Sequence, residues 1–83
     1  MTRYEPVFNE SAIRGFLGAS TEDRRRLLLF IEGLANEPVR EGDYVEVSSQ
    51  DRRIDVFLCD KWLVSAWVDH AVKEVRIVNV ERV

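Results

Sequence analysis

The sequence has few cysteines, prolines, glycines and histidines, and it has no long apolar run. A lone Cys59 cannot form an internal disulfide, which fits a reducing cytoplasm. No stretch reaches the roughly 18 apolar residues of a membrane span, and the first residues lack the apolar segment of a signal peptide. Lys and Arg number 12 against 15 Asp and Glu, so an overall basic surplus for nucleic-acid binding is absent. We therefore expect a cytoplasmic protein in which any contact with nucleic acid uses a local patch.

The length limits how many cores the chain can build. Its 83 residues suffice for one modest core, so we expect a single domain over residues 1–83. A domain this small without disulfides often gains stability by pairing with itself or with a partner. One histidine and one distant cysteine do not have the spacing of metal ligands, so we expect neither a metal nor a cofactor.

Two helices are predicted in the first half of the chain. The first covers roughly residues 10–17, with Asn9 or Ser11 as its cap and Gly18 as its end. The second has Ser20 or Thr21 as its cap and ends before Pro38, because the residue preceding a proline avoids the helical conformation. Its buried face is predicted from apolar residues at helical spacing, which are Leu27, Phe30, Ile31 and Leu34.

The rest of the chain reads as strands. Residues 4–8 form a short extended segment, which Pro6 restricts to a sheet edge or a strand start. From Asp43 onward apolar and polar residues alternate, which predicts four antiparallel strands at about 43–49, 52–59, 63–69 and 74–80. The predicted fold is therefore α+β, with a short N-terminal strand and two helices packed on one face of a four-stranded meander.

The strand register decides which side chains share the face that is open to solvent. We assume a two-residue turn at Gln50–Asp51, a three-residue turn after Cys59 and a longer loop after Val68. The apolar pairs under the helices are then Val47–Ile54, Val45–Val56, Leu58–Val64, Val56–Ala66, Ile54–Val68, Val68–Val75 and Ala66–Ile77. The open face carries Tyr44, Glu46, Ser48, Arg53, Asp55, Phe57, Ser65, Trp67, Glu74 and Arg76. In this register Trp67 lies opposite Arg76, and Glu46 lies opposite Asp55.

Three short stretches carry a resemblance to a known family. They are Leu28-x-x-Ile31-x-x-Leu34-Ala35-x-x-Pro38, the following Gly42-Asp43-Tyr44, and the closing segment from Val75 to Arg82. With the element order, they make the chain similar to the RelE/ParE superfamily of bacterial toxin–antitoxin systems. The resemblance implies a toxin that cleaves ribosome-bound messenger RNA or poisons gyrase, and that an antitoxin peptide neutralises by wrapping on its surface.

The resemblance also implies site residues, and the chain departs from the family pattern at two positions. Tyr44, Arg76 and Arg82 correspond by position to residues of the family's motifs. The basic residue that often follows Gly-Asp-Tyr in the family is Val45 here, and the frequent His-Arg ending is Glu81-Arg82.

A catalytic hypothesis combines Arg53, Arg76 and His70. The arginines would bind phosphate, and His70 would act as general acid or base, oriented by Asp69 or Glu74. The alternative is that His70 is an ordinary residue of a solvated hairpin loop. Cys59 is interpreted as a structural thiol, because the only histidine lies in a different loop.

The aromatic residues predicted on the open face, Tyr44, Phe57 and Trp67, are candidate binding residues. They can stack nucleobases or anchor a protein interface, including a homodimer, or they can simply pack across strands. The acids predicted on this face and its end, Glu46, Asp55, Asp69 and Glu74, outnumber its two arginines, which disfavours RNA. Two hypotheses therefore remain open: a toxin acting on RNA, and a non-catalytic member that binds protein.

Overall fold

The computed structural model describes residues 3–83, and its elements follow the predicted order. These elements are β1 (Glu5–Phe8), α1 (Glu10–Leu17), α2 (Thr21–Asn36), β2 (Tyr44–Val47), β3 (Arg53–Cys59), β4 (Trp62–Asp69) and β5 (Glu74–Arg82). The predicted α+β class is therefore confirmed. Within this part of the chain, the helices are too short or too polar to cross a bilayer.

Both helices begin at the predicted caps. The Asn9 side chain accepts a hydrogen bond from the Ala12 amide, and the Ser20 hydroxyl accepts one from the Asp23 amide. Each bond satisfies a backbone donor that the first helical turn leaves without a partner. The predicted buried face of α2 is also confirmed, since Leu27, Ile31 and Leu34 are buried and Phe30 packs at their margin.

The sheet has five strands in the order β1-β5-β4-β3-β2. The N-terminal strand, expected beside a four-stranded meander, is part of the same sheet: β1 pairs in parallel with β5, and the other pairs are antiparallel. Backbone hydrogen bonds hold both ends of β1, from Tyr4 to Ala35 of α2 and from Asn9 to Ile77 of β5. Among the three inner strands, β4 and β5 supply most of the sheet's part of the core, namely Trp62, Val64, Ala66, Val75, Ile77 and Val80.

The predicted register between β4 and β5 is confirmed. Val68 pairs with Val75, Ala66 pairs with Ile77, and Trp67 lies opposite Arg76. Beyond Ala66 the register shifts by one residue, because β5 carries a bulge at this point. The shift allows both Ile77 and Val80 to face the helices on either side of the bulge.

The predicted register of β3 is wrong on both of its sides, because both turn lengths differ from those assumed. The first hairpin has a three-residue loop closed by the hydrogen bond from the Ser48 amide to the Arg52 carbonyl, and its last residue, Asp51, has φ 58°. The second hairpin has the two-residue loop Asp60–Lys61, with Asp60 at φ 56°. Aspartate tolerates this left-handed conformation better than most residues, which is what these short loops need.

The first turn is one residue longer than assumed, and the second is one residue shorter. The two errors therefore cancel at β2, and only the side chains of β3 exchange faces. Phe57, predicted on the open face, is buried at 4% exposure and packs edge-on against Phe30 of α2. Arg53 and Asp55 move to the helix side with it, while Ile54, Val56 and Leu58 turn to the opposite face, where Val56 is still buried. Glu46 accordingly lies opposite Ile54 and not opposite Asp55.

The side chains of the edge strand β2 lie on the predicted faces of the sheet, but they are less buried than predicted. Val45 and Val47 lie on the helix side of the sheet, yet they are exposed at 51% and 69%. Neither helix packs closely against β2, which lies at the edge of the sheet farthest from β1.

Candidate functional site

A cleft opens where β3 and β4 separate. The two strands pair from Cys59–Trp62 to Asp55–Ala66 and no further. Beyond that point, β3 pairs only with β2, and residues 67–69 of β4 pair only with β5. The cleft has a volume of about 510 Å³, within the usual range of ligand sites. Its wall includes Arg40, Arg52, Arg53, Asp55, Trp67 and His70.

Arg40 is brought to the cleft by the segment that joins α2 to β2. Hydrogen bonds to β3 anchor this segment, from the Gly42 amide to the Asp55 carboxylate at 3.0 Å and from the Leu58 amide to the Asp43 carboxylate at 2.7 Å. A side chain at Gly42 would lie 2.8 Å from the backbone of Val56, so the close approach needs glycine. The Arg40 guanidinium lies 5.2 Å from the centre of the Phe30 ring.

Trp67 lies between two arginines, Arg52 just before β3 and Arg76 on β5, which approach from opposite sides of β4. The guanidinium carbon of Arg52 is 3.7 Å from the centre of the Trp67 ring, and that of Arg76 is 5.6 Å away. The predicted contact between Trp67 and Arg76 is therefore present, and Arg52 makes a closer one. Such cation–π contacts contribute about 0.5–1 kcal/mol each where they are exposed.

The partner of His70 is a tyrosine and not one of the carboxylates predicted. The Tyr4 hydroxyl oxygen lies 2.9 Å from His70 Nδ1, and the two rings meet edge to face. This hydrogen bond fixes the orientation of the imidazole and leaves Nε2 available for proton exchange. Asp69 instead accepts a hydrogen bond from the Ala71 amide, and Glu74 pairs with Arg76 at 2.7 Å.

The inverted β3 changes the charge balance predicted for this region. Asp55, predicted as an open-face acid, points to the helix side, where it accepts hydrogen bonds from the Gly42 amide and from Arg53. Arg52, which was not predicted as a site residue, contributes a positive charge beside Trp67. Three of the four acids that argued against RNA are thus bonded to neighbours, and the cleft wall carries three arginines against two acids, Glu41 and Asp55.

The structure brings some of the predicted site residues together and separates others. Arg53, His70 and Trp67 line one cleft, and Arg76 contacts the same tryptophan from the β5 side. Arg82 lies opposite Trp62, at the other end of β4 from His70. An eight-residue strand spans roughly 25 Å, so one site cannot include both Arg82 and His70.

The remaining predicted binding residues lie outside the cleft. Tyr44 is exposed on the open face of the edge strand, and Phe57 belongs to the core, where it is unavailable for binding. Cys59 lies at the turn between β3 and β4, far from His70, as its structural interpretation requires. Partial burial raises the pKa of its thiol, with Asp60 adding to the effect, which disfavours the reactive thiolate.

Sequence reasoning missed Tyr4, Arg40 and Arg52. Tyr4 contacts His70 and Arg40 lines the cleft, and both positions depend on long-range contacts for which the sequence has no local signal. Arg52 could have been predicted, because it directly precedes β3 and its side chain lies on the opposite face of the sheet from that of Arg53. A three-residue turn ending at Asp51 would have placed it on the open face, beside Trp67.

Comparison with solved structures identifies the fold. A chain of the Mycobacterium tuberculosis RelBE2 toxin–antitoxin complex superposes with a TM-score of 0.82 at 17% identity, covering 99% of this chain and 100% of that one. The 83-residue chain has the RelE toxin fold. A chain of the Pyrococcus horikoshii RelE–RelB complex gives a TM-score of 0.76 at 17% identity, covering 98% of this chain and 96% of that one.

The RelE fold also relates the chain to a more distant structure. A chain of the intact Escherichia coli RelBE complex gives a TM-score of 0.67 at 12% identity, with 96% of both chains covered. No protein-family model matches the sequence, and no curated protein matches it significantly. Backbone geometry therefore confirms the RelE-like fold that the three sequence stretches predicted, although the sequence identity to these structures is low.

Proposed function

We propose that this RelE-like chain is the toxin of a toxin–antitoxin pair and that it cleaves RNA in the cleft between β3 and β4, with ribosome-bound messenger RNA as the substrate. The observation that carries the proposal is the convergence of Arg40, Arg52 and Arg53 with His70 at one opening. The solved structures with this fold include toxin–antitoxin complexes, which supports a protein partner encoded with the chain.

The residues of the cleft suit phosphodiester cleavage by an internal nucleophile. The 2′-hydroxyl of one nucleotide attacks the adjacent phosphorus and forms a 2′,3′-cyclic phosphate. The bond from phosphorus to the 5′-oxygen of the next nucleotide breaks, and this oxygen leaves as a hydroxyl by taking a proton from water. His70 would accept the 2′ proton through Nε2, while Tyr4 holds the ring from the other nitrogen. The arginines would stabilise the negative charge that develops on the phosphate oxygens.

Growth of a bacterial host tests the proposal. Expression of the intact chain without a partner should arrest growth, and Arg53→Ala or His70→Ala should relieve the arrest. Arg25→Ala is the matched control, because Arg25 is exposed on α2 away from the cleft and should leave toxicity unchanged. Normal growth with the intact chain, or arrest that survives both cleft substitutions, would contradict the proposal.

A second candidate function is a non-catalytic module that binds protein through the open face, with a second copy as the simplest partner. The inversion of β3 favours it, because Ile54 and Leu58 bring aliphatic surface to this face on either side of the buried Val56. Tyr44 lies beside Val56 and extends the apolar area to the sheet edge. Apolar and aromatic residues of this kind are typical of the centre of a protein interface.

Sedimentation separates this candidate from the first. Leu58 is 48% exposed, so Leu58→Glu should leave the fold intact and abolish self-association if the face pairs with a second copy. Leu29→Glu provides the control on the outer side of α2, where the exposed fraction is 69%. A chain that is monomeric at high concentration would exclude the homodimer.

A further inference from the structure

We infer that Trp67 is the base-binding surface of the cleft and that the Arg52 guanidinium covers this surface until a nucleobase displaces it. The inference rests on the proposed function, because it assigns a position to the RNA within the same cleft. It assigns Trp67 to the base and the arginines of the cleft to the neighbouring phosphates.

The first support is the geometry of Trp67. Its ring is partly exposed, and the guanidinium of Arg52 lies over it at 3.7 Å, which is the spacing of two stacked planar groups. A planar base offers the same kind of surface, and stacking on an aromatic side chain is the sequence-tolerant way to bind single strands. Arg52 therefore occupies the position in which a base would be held.

The second support is that Arg52 has few other attachments. Arg53 pairs with Asp55 at 3.2 Å and Arg76 pairs with Glu74 at 2.7 Å, so carboxylates hold both of these neighbours. Among residues 3–83, the guanidinium of Arg52 forms neither an ion pair nor a side-chain hydrogen bond, and only the Trp67 ring holds it. A weak contact of this kind can be exchanged for a stronger one with a ligand.

The third support is the space around the ring. Trp67 lines the large cleft that contains Arg52, and it also lines a smaller cleft of about 210 Å³ that contains Arg76. A single strand crossing Trp67 would therefore have Arg52 on one side of the stacked base and Arg76, paired with Glu74, on the other. Once displaced, Arg52 stays close enough to bind a phosphate that the base brings with it.

Tryptophan fluorescence tests the inference in the intact chain. The probe is a short 2′-O-methyl oligoadenylate, which cannot be cleaved because its 2′-oxygen carries no proton. The control ligand is an abasic phosphodiester of the same length and charge. The base-bearing strand should quench Trp67 and bind about five- to one-hundred-fold more tightly than the abasic strand, as expected for one stacked base.

Three substitutions assign the effect to the named residues. Trp67→Leu should reduce affinity for the base-bearing strand to that for the abasic one, leaving the abasic affinity unchanged. Trp67→Phe should abolish the quenching, because it removes the fluorophore that the base contacts. The other tryptophan, Trp62, is buried and hydrogen-bonded to Asp23, so the ligand does not reach it. Arg52→Ala should make Trp67 more accessible to acrylamide in the free protein, whereas Arg25→Ala should not.

The outcomes distinguish this inference from the proposed function. Equal affinity for the two strands, or unchanged acrylamide quenching in Arg52→Ala, would overturn the inference even if the chain arrests growth. Base-dependent quenching by a chain that cleaves no RNA would support the stacking position and overturn the catalytic proposal.

Discussion

At the residue scale, the buried acid Asp23 shows how a polar group can join helix and sheet. Asp23 is 8% exposed, and its carboxylate accepts a hydrogen bond of 3.0 Å from the indole nitrogen of Trp62. The Lys61 ammonium lies 3.7 Å away. The bond from Trp62 lowers the pKa of Asp23 below its usual value, burial opposes this effect, and Lys61 adds a smaller lowering.

Asp23 should therefore make stability depend on pH. A carboxylate whose pKa is lower in the folded chain contributes stability that is present above the pKa of the unfolded chain and is lost as pH falls through the folded pKa. Asp23→Asn keeps an acceptor oxygen for Trp62 but cannot titrate. Between about pH 6 and about pH 3, the free energy of unfolding should fall more in the natural chain than in this variant. Urea denaturation at both pH values measures the difference, and parallel losses would contradict the assignment.

The same pair marks a limit of sequence reasoning. Trp62 was assigned to a turn because Asp60 and Lys61 precede it, yet it starts β4 and is buried. Its buried state depends on a hydrogen bond to a residue 39 positions away, at the start of α2. Alternation of polar and apolar residues along a strand contains no information about such a partner.

At the element scale, the packing of α1 on β5 depends on a missing side chain. A Cβ at Gly15 would lie 1.7 Å from the carbonyl oxygen of Val80, a backbone atom of an inner strand. A Cβ at Gly33, near the end of α2, would meet no atom within 4 Å. The two helical glycines thus form a matched pair that differs in the space around them.

Substituting each glycine by alanine should give effects of opposite sign. Gly33→Ala should raise the free energy of unfolding by about 0.5–1 kcal/mol, because alanine restricts the unfolded chain and favours helix. Gly15→Ala has the same advantage but must push α1 from the sheet, so a net loss of about 1–3 kcal/mol or more is expected. Urea denaturation of both variants compares them, and stabilisation by Gly15→Ala would show that the close approach is not needed.

The elements themselves were predictable from the sequence, but the facing of one strand was not. Capping residues placed both helix starts within two residues, at Asn9 or Ser11 and at Ser20 or Thr21, because the signal lies within one helical turn. The structure selects Asn9 and Ser20. The lengths of two turns decide which face of the sheet each β3 side chain occupies. An error of one residue in either turn moves every side chain of a strand to the other face. The signal that could have corrected it is Asp51 and Asp60, each an aspartate able to close a short loop with positive φ.

The candidate site was predictable only where its residues are near one another in sequence. Trp67 and His70 lie on one strand and the loop that follows it, and pairing with β5 brings in Arg76. Arg40 and Tyr4 come from outside the meander, and their positions depend on hydrogen bonds made by the Asp55 carboxylate and the Ala35 carbonyl. Tertiary contacts of this kind are set by the assembled fold.

At the scale of the whole molecule, the RelE fold is preserved with little sequence identity. A TM-score of 0.82 at 17% identity means that most side chains differ while the path of the backbone stays the same. The common constraint is the pattern: two amphipathic helices must cover one face of a twisted sheet. The open face is free of this constraint, so its aliphatic centre can vary between proteins that share the fold.

The net charge of the whole chain also sets how RNA binding should depend on salt. With a formal net charge of -3, the molecule repels RNA at long range, so attraction must come from the cleft. Its three arginines, Arg40, Arg52 and Arg53, can neutralise three phosphates at most. Each phosphate neutralised on a single strand contributes about -0.7 to the slope of log affinity against log salt, which gives a slope of about -2.

Titration of the 2′-O-methyl oligoadenylate at several salt concentrations measures this slope. Arg40→Ala should make it shallower by about 0.7, since one phosphate contact is removed, while Arg25→Ala should leave it unchanged. Binding that does not depend on salt would show that the cleft does not contact phosphate. A slope much steeper than about -2 would mean that RNA also contacts basic residues elsewhere on the surface, and the cleft would no longer define the binding site.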